Sequence, residues 1–333
     1  MARGVRHGRA GVFRPKARTP HPALPYRAAS MTKVIPPQGD LFRLDSPLLG
    51  DIQGERTVAE FPFFALTKRA QMEPMTFESA AARIEINPSK TGVATIYDKE
   101  ILLYIASIMV GRLEAGETVD RTLSFTANDL FRMTGTNASA RSYSALKASL
   151  SRLQGTQIIT NIETGGEGSD SAFSWLLKAD IKYIKLPNGE RRVKHVEVML
   201  CDWLHRAILT DRRIAAYHDD FFKLGPIERR LYELAKFNCV DGARFEIDAV
   251  ELAGRVGCSL EPRSLENFRR TLREVVRNQS IPEYLLALAD HKEPGPNGGR
   301  PRLTTMVTIT HDATLHFVGP PAPAPSAPPD ADA

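Results

Sequence analysis

The sequence predicts an α+β protein in which one arrangement of helices and strands occurs twice, with an irregular tail at each end. Residues 123–159 align with residues 245–281 at a constant offset of 122 and without a gap. In both copies apolar residues recur at helical spacing in some segments and alternate in others. The first thirty and the last fifteen residues are rich in proline, arginine or alanine and show neither pattern. The ordered part of the chain is therefore expected between these tails.

Length, composition and cysteine content exclude several classes of protein. The chain has 333 residues, of which 42% are hydrophobic and 25% charged, as in ordinary soluble globular proteins. No segment reaches the ~20 apolar residues of a membrane span. The three cysteines form no Cys-x-x-Cys pair, which fits reduced thiols in a bacterial cytoplasm better than a disulfide framework or a zinc finger.

The net charge of +5 comes from the beginning of the chain. Residues 1–30 hold seven basic side chains and no acidic one. Of the 44 basic residues, 37 therefore lie beyond residue 30, together with all 39 acidic residues. Because the ordered part is slightly acidic in bulk, a nucleic-acid partner has to be argued from the positions of individual charges.

Each copy of the repeat has the same succession of elements. An amphipathic helix comes first, then a short strand, a short helix with an N-cap side chain, and a longer helix after a glycine turn. The boundary residues are Asp98, Thr126 and Gly135 in the first copy and Pro226, Asp248 and Gly257 in the second.

Two strands close each copy. They are expected over residues 157–163 and 171–183 in the first copy, and over residues 284–289 and 303–311 in the second. Helix, strand, helix, turn, helix and a two-stranded wing is the order of a winged helix-turn-helix domain, so the sequence predicts two of these in tandem.

The first copy carries additions. Extra strands are expected at residues 82–86 and 92–97, and a further hairpin turns at residues 187–189. The predicted organisation is a disordered basic leader over 1–35, a first winged-helix domain with extra strands over 36–205, a linker over 206–222, a second winged-helix domain over 223–318, and a disordered Pro-rich tail over 319–333. Met31 is a candidate for the natural start, and a transit peptide is the other interpretation of the leader.

The longer helix of each copy is the candidate recognition helix. Such a helix needs one apolar face, and small, basic or amide side chains on the face that enters the major groove. In the first copy, residues 130–162 contain four basic residues and no acidic one. The outward-facing candidates there are Arg141, Ser144, Lys147 and Arg152.

The second candidate helix has the richer outward face. Arginine can pair with guanine, asparagine with adenine and glutamate with the cytosine amino group. The candidates on this helix are Arg263, Glu266, Asn267, Arg270, Arg273 and Arg277, joined in the wing by Lys292, Arg300 and Arg302. Solvated helix faces without a partner are the alternative for either helix alone, but the coincidence of two such faces in one repeat favours DNA binding.

Motifs for enzyme chemistry are missing from the sequence. It has no phosphate-binding G-x-x-x-x-G-K-[ST] loop, no paired histidines suited to a metal, and no Ser/His/Asp or Cys/His set. We therefore expect no catalytic residue, no metal site and no cofactor.

Three phrases carry a resemblance to a known family. They are PFFALTKR (residues 62–69), ATIYDKEIL (94–102) and GPIERRLYELAK (225–236). With the tandem order of elements, they resemble the plasmid replication initiator protein A family and, more distantly, the two-winged-helix initiators of iteron plasmids. The resemblance covers residues 40–318.

The resemblance implies a cytoplasmic, non-enzymatic protein that binds direct repeats in double-stranded DNA at a plasmid origin. It implies opening of the adjacent AT-rich DNA and recruitment of the host initiator and the replicative helicase. By position, the arginines and Asn267 of the second helix would be the main DNA contacts. Whether the protein is a monomer or a homodimer stays open. A tandem winged-helix transcriptional regulator is the alternative within DNA binding, and a protein-interaction scaffold without DNA is the alternative from another class.

Overall fold

The computed structural model describes residues 44–48, 50–169, 171–189, 191–293 and 302–314. The predicted tails at 1–35 and 319–333, including Met31, lie outside these ranges. Within them, none of the helices is long and apolar enough to cross a membrane.

The described residues form a mixed structure of helices and antiparallel strands. The helices are α1 (Arg56–Glu60), α2 (Lys99–Glu114), α3 (Ala127–Met133), α4 (Ala140–Gly155), α5 (Asp202–Arg206), α6 (Pro226–Asn238), α7 (Ala249–Val256) and α8 (Pro262–Asn278). The strands are β1 (Gln53–Glu55), β2 (Met75–Glu78), β3 (Arg83–Asn87), β4 (Thr122–Phe125), β5 (Gln157–Thr160), β6 (Leu176–Lys185), β7 (Arg191–Leu200), β8 (Ile214–Ala216), β9 (Phe245–Asp248), β10 (Tyr284–Glu293) and β11 (Arg302–His311).

The helices follow the internal repeat. An offset of 122 carries α3 and α4 onto α7 and α8, so we call residues 99–200 the first repeat and residues 226–311 the second repeat. The predicted N-caps are confirmed, since Thr126 accepts a hydrogen bond from Asp129 N, and Asp248 accepts one from Val250 N. Gly257 ends α7 in the left-handed conformation at φ +97°.

The predicted wing of the first repeat was wrong. Strand β5 pairs with β3, and it meets the segment before β6 only at the isolated Ile158–Phe173 bridge. The hairpin turning at residues 187–189, which was expected to be an addition, joins β6 to β7. The sheet order β4-β7-β6 then matches the order β9-β11-β10 of the second repeat. The gapless alignment misled because it holds only as far as Gln157, and beyond that residue β6 corresponds to β10 at a different offset.

The extra strands of the first repeat form a separate small sheet. Strands β2, β3 and β5 pair antiparallel in that order. The strand expected over residues 92–97 is absent from this described stretch, which makes only isolated bridges such as Ala65–Thr95. Its apolar residues are nevertheless buried, so a continuous apolar run was mistaken for a strand.

Two hydrophobic clusters make up the core. The cluster of the first repeat centres on Trp175, which stacks on Phe64 at 5.2 Å and meets Phe63 edge-on at 5.4 Å. The cluster of the second repeat contains Tyr232 and Phe268. The predicted linker, residues 206–222, is structured and contributes to both clusters, and its strand β8 pairs with β1.

A buried ion cluster joins the two repeats. Lys99 at the start of α2 lies 2.6 Å from Glu233 of α6, which in turn lies 2.7 Å from Arg230. All three side chains are at most 2% exposed. Lys99 also donates to Val58 O, and Arg230 donates to Ala59 O. The charges are thus surrounded by partners drawn from α1, α2 and α6.

The residues on either side of Lys99 bind two further elements. Glu100 accepts from Arg229 of α6 at 2.7 Å, and the Arg229 guanidinium stacks 4.8 Å from the Tyr97 ring. Asp98 was expected to cap α2, but it makes no capping bond there. Its carboxylate instead accepts from Thr95 N and from Arg152 of α4.

Candidate nucleic-acid interface

Helix α8 presents the face that the sequence predicts. Phe268, Leu272 and Val275 are buried against the second cluster. The six predicted side chains on the opposite side are all exposed, namely Arg263, Glu266, Asn267, Arg270, Arg273 and Arg277. This 17-residue helix therefore offers a continuous polar face with four arginines, one asparagine and two acids, because Glu274 is exposed on it beside Glu266.

Contacts within this face hold some of its members in place. Arg270 donates to the side-chain oxygen of Asn267 at 3.2 Å, and Arg273 lies 3.8 Å from Glu266. The second pair is exposed on both sides, so it stabilises the fold by little. These contacts order the side chains along the helix and can be exchanged for contacts with a polar partner.

One amide connects the end of α8 to its wing. Gln279 follows the helix at φ +45°, and its side chain both donates to Leu286 O and accepts from Leu286 N on β10. The equivalent residue of the first repeat, Gln157, donates to Ser174 just before β6 at 2.7 Å. In both repeats the glutamine therefore ties the longer helix to the first wing strand.

Helix α4 has a sparser polar face. Ser139 caps its N-terminus, and Leu146, Leu150 and Leu153 are buried. Of the predicted candidates, Arg141, Ser144 and Lys147 are exposed. Small side chains separate the two cations, so this face can approach a phosphate backbone but carries few groups that distinguish bases.

Arg152 does not face solvent as predicted. Its Nε and Nη2 atoms donate to the two carboxylate oxygens of Asp98, each at 2.7 Å, and Asp98 is buried. This bidentate pair raises the pKa of the guanidinium. Helical periodicity placed Arg152 outside because it does not register a buried carboxylate on a neighbouring segment.

The wings add basic side chains at different places. In the second repeat Lys292 is exposed on β10, and Arg302 begins β11, whereas Arg300 lies outside the described residues. In the first repeat the corrected wing brings Lys185 of β6 and Arg192 of β7 to the turn end of the hairpin, both exposed. We missed these two residues because the wing was expected at residues 157–183. The match becomes visible in the structure, where β6, β7, β10 and β11 are each ten residues long.

The thiols of the chain are poorly suited to nucleophilic chemistry. Burial raises the pKa of Cys201 to about 12 and the pKa values of Cys239 and Cys258 to about 11. Each thiol is therefore protonated at neutral pH. Across the part of the chain that the structure describes, no group of three or more His, Cys, Asp or Glu side chains could hold a metal ion.

Comparison with known proteins decides the family. The profile described as replication initiator protein A matches residues 53–286, from β1 into β10. A putative replication protein of Wigglesworthia glossinidia brevipalpis is 30% identical over 247 residues, which are 74% of this chain and 88% of that protein. The chain belongs to the replication initiator protein A family. The resemblance inferred from the three sequence phrases is thereby confirmed.

Comparison with solved structures gives matches at low sequence identity. Domains 2 and 3 of RctB superpose with a TM-score of 0.51 at 16% identity, covering 76% of this chain and 95% of theirs. The Pi initiator protein in complex with iteron DNA gives a TM-score of 0.45 at 12% identity, over 66% of this chain and 92% of that one. The RctB match supports the mixed helix-and-sheet fold.

The inward turn of Arg152 leads to a stability prediction. We expect Arg152→Ala to lower the free energy of unfolding by about 3 kcal/mol, because it leaves the buried Asp98 carboxylate without its cation. Arg141→Ala, an exposed position on the same helix, should change it by less than ~0.5 kcal/mol. Urea denaturation followed by circular dichroism measures both. Equal and small changes in the two variants would show that Arg152 faces solvent after all.

Proposed function

We propose that this initiator binds repeated sites in origin DNA through two winged helix-turn-helix domains, within residues 36–205 and 223–318. The observation that carries the proposal is that α4 and α8, at matching positions of the repeat, both present exposed basic faces while their apolar faces are buried. A recognition helix has these requirements, since base edges are reached only by side chains that the fold leaves free.

The two helices would divide the work. Helix α8 carries arginine, asparagine and glutamate, which pair with base edges, whereas α4 offers Arg141 and Lys147 among small residues. We infer that α8 reads sequence and that α4 grips the phosphate backbone. The two wings, each a hairpin of ten-residue strands beside its helix, would contact adjacent phosphates.

The free energy of binding would then drive the opening of the DNA duplex. An initiator without a catalytic group opens DNA by binding the deformed duplex more tightly than the relaxed one. We infer that the AT-rich stretch beside the repeats is the segment that opens. The host initiator and the replicative helicase would then bind the separated DNA strands, recruited by the bound protein.

The reading role of α8 can be tested with a charge-matched pair of variants. We expect Arg270→Ala combined with Arg273→Ala to abolish specific binding to origin DNA, because each lost bidentate contact weakens discrimination by ~1 to 3 kcal/mol. Lys223→Ala combined with Arg244→Ala removes the same charge at exposed positions outside α4, α8 and the two strands of each wing, and should keep specific binding. Fluorescence anisotropy with specific and scrambled duplexes measures the ratio. Retained specificity in the first variant, with an unchanged circular dichroism spectrum, would show that α8 is not the reading helix.

The corrected wing of the first repeat makes a separate prediction about salt. Lys185→Ala combined with Arg192→Ala should weaken binding to specific and scrambled DNA alike, since both side chains would contact phosphates. The slope of log affinity against log salt concentration should fall by about 2, near 0.9 for each lost phosphate contact. A titration from low to moderate salt measures this slope. An unchanged slope would place this wing away from DNA.

A further inference from the structure

We propose that the buried ion cluster of Lys99, Arg230 and Glu233 fixes the placement of α4 relative to α8 and thereby sets the base-pair spacing between the two parts of the DNA site. This proposal rests on the proposed function, in which both helices bind one site. It makes the three residues positioning residues, because none of them lies on the faces assigned to DNA.

A series of polar contacts and one chain bond leads from α4 through the cluster to α7, the helix before α8. Arg152 of α4 binds Asp98, whose chain neighbour Lys99 binds Glu233. Glu233 binds Arg230. Arg230 then donates at 3.0 Å to Arg255 O near the end of α7, the helix that precedes the turn into α8. Each step joins buried or half-buried groups, so rotation of one repeat against the other would break at least one of these contacts.

The chemistry of the cluster suits orientation better than it suits stability. A buried ion pair often stabilises a fold no more than apolar residues of the same volume, but it tolerates far fewer arrangements. Burial lowers the pKa of Lys99 to about 8, while the Glu233 carboxylate acts in the opposite direction. The desolvation of Lys99 is thus substantial and is offset only while Glu233 stays in contact. On this basis the cluster, more than the apolar contacts around it, is assigned the role of fixing the geometry.

Close backbone packing at the same junction supports the inference. A Cβ atom built on Gly257, in the turn between α7 and α8, would come 2.9 Å from Cβ of Pro62, in the segment after α1. An open cleft of about 760 Å³ beside this contact is lined by Phe77 of β2 and by Asn267 of α8. The turn between α7 and α8 therefore lies directly against the segment that joins α1 to β2.

A rigid junction has a measurable consequence for DNA. Inserting one base pair between two contacted segments moves one of them by about 3.4 Å along the axis and rotates it by about 35°. A protein with a fixed junction loses one set of contacts, while one with a loose junction follows the shift. Spacing selectivity therefore reports the rigidity of the junction independently of the contacts that each helix makes.

The test compares the full chain with a variant that removes one charge of each sign. Lys99→Met combined with Glu233→Leu deletes the ion pair, and Arg230, which loses its carboxylate, keeps the backbone oxygens of Ala59, Glu60 and Arg255 as partners. Lys236→Met combined with Glu283→Gln is the matched control, since it removes an ion pair within the second repeat. The probes are duplexes of the footprinted origin repeat with zero, one or two base pairs inserted between the segments protected by α4 and by α8. Anisotropy gives the affinity for each duplex, and urea denaturation gives the stability of each protein.

We expect the wild-type protein and the control to lose about tenfold or more in affinity for a one-base-pair insertion. The Lys99→Met, Glu233→Leu variant should lose less than about threefold, and its affinity for the native spacing should fall because the competent arrangement is only one of several that it populates. If this variant does not fold, Lys99→Gln combined with Glu233→Gln, which keeps a hydrogen-bonding pair, should show the same relaxation.

Two results would overturn the inference while leaving the proposed function in place. One is a folded variant that is as selective for spacing as the wild type. The other is equal affinity of the wild-type protein for the duplexes with zero, one and two inserted base pairs. This result can be obtained without any variant. Failure of the wild-type protein to bind the native repeat would instead reject the proposed function itself.

Discussion

The pairing of Lys99 with Glu233 is the contact on which the arrangement of the two repeats depends. Glu233 is the carboxylate that Lys99 and Arg230 share, and loss of one partner from a buried ion pair destabilises proteins by about 3–5 kcal/mol. Three consecutive charged residues, Asp98, Lys99 and Glu100, bind α4, Glu233 and Arg229 respectively. The start of α2 thus positions α4 and also forms the junction with the second repeat.

Each candidate recognition helix, α4 and α8, is held at both ends by contacts within its own repeat. An N-terminal turn positions its beginning, and a glutamine at its end binds the neighbouring wing segment, as Gln279 and Gln157 show. With the apolar face buried, these contacts leave the polar face as the free surface. The supporting contacts are alike in the two repeats, but the polar face of α8 is rich in groups that can pair with bases, whereas that of α4 is suited to backbone contact. The two copies of the helix can therefore take different roles.

Much of this fold could be predicted from the sequence, because caps, glycine turns and apolar periodicity are local signals. Thr126, Asp248 and Gly257 occupy the predicted positions. What escaped prediction depends on distant partners: β5 pairs with β3 instead of forming a wing, and Arg152 turns toward a carboxylate 54 residues away. The exposed candidates on α8 followed from periodicity alone. Two of the three phrases that indicated the family contain the members of the ion cluster, whose structural role no local pattern reveals.

In the proposed function, both repeats of the protein bind one DNA site with a fixed geometry. Hydroxyl-radical footprinting of the full chain on its native origin tests this most directly, because it resolves the protected face of the helix at each base pair. We expect two protected segments within each repeat of the origin DNA. They should be separated by about 10 base pairs or a multiple of that, and they should lie on one face of the DNA. A single protected segment as wide as the contact of one protein helix, or no protection at the DNA repeats, would show that the two protein repeats do not bind one DNA site together.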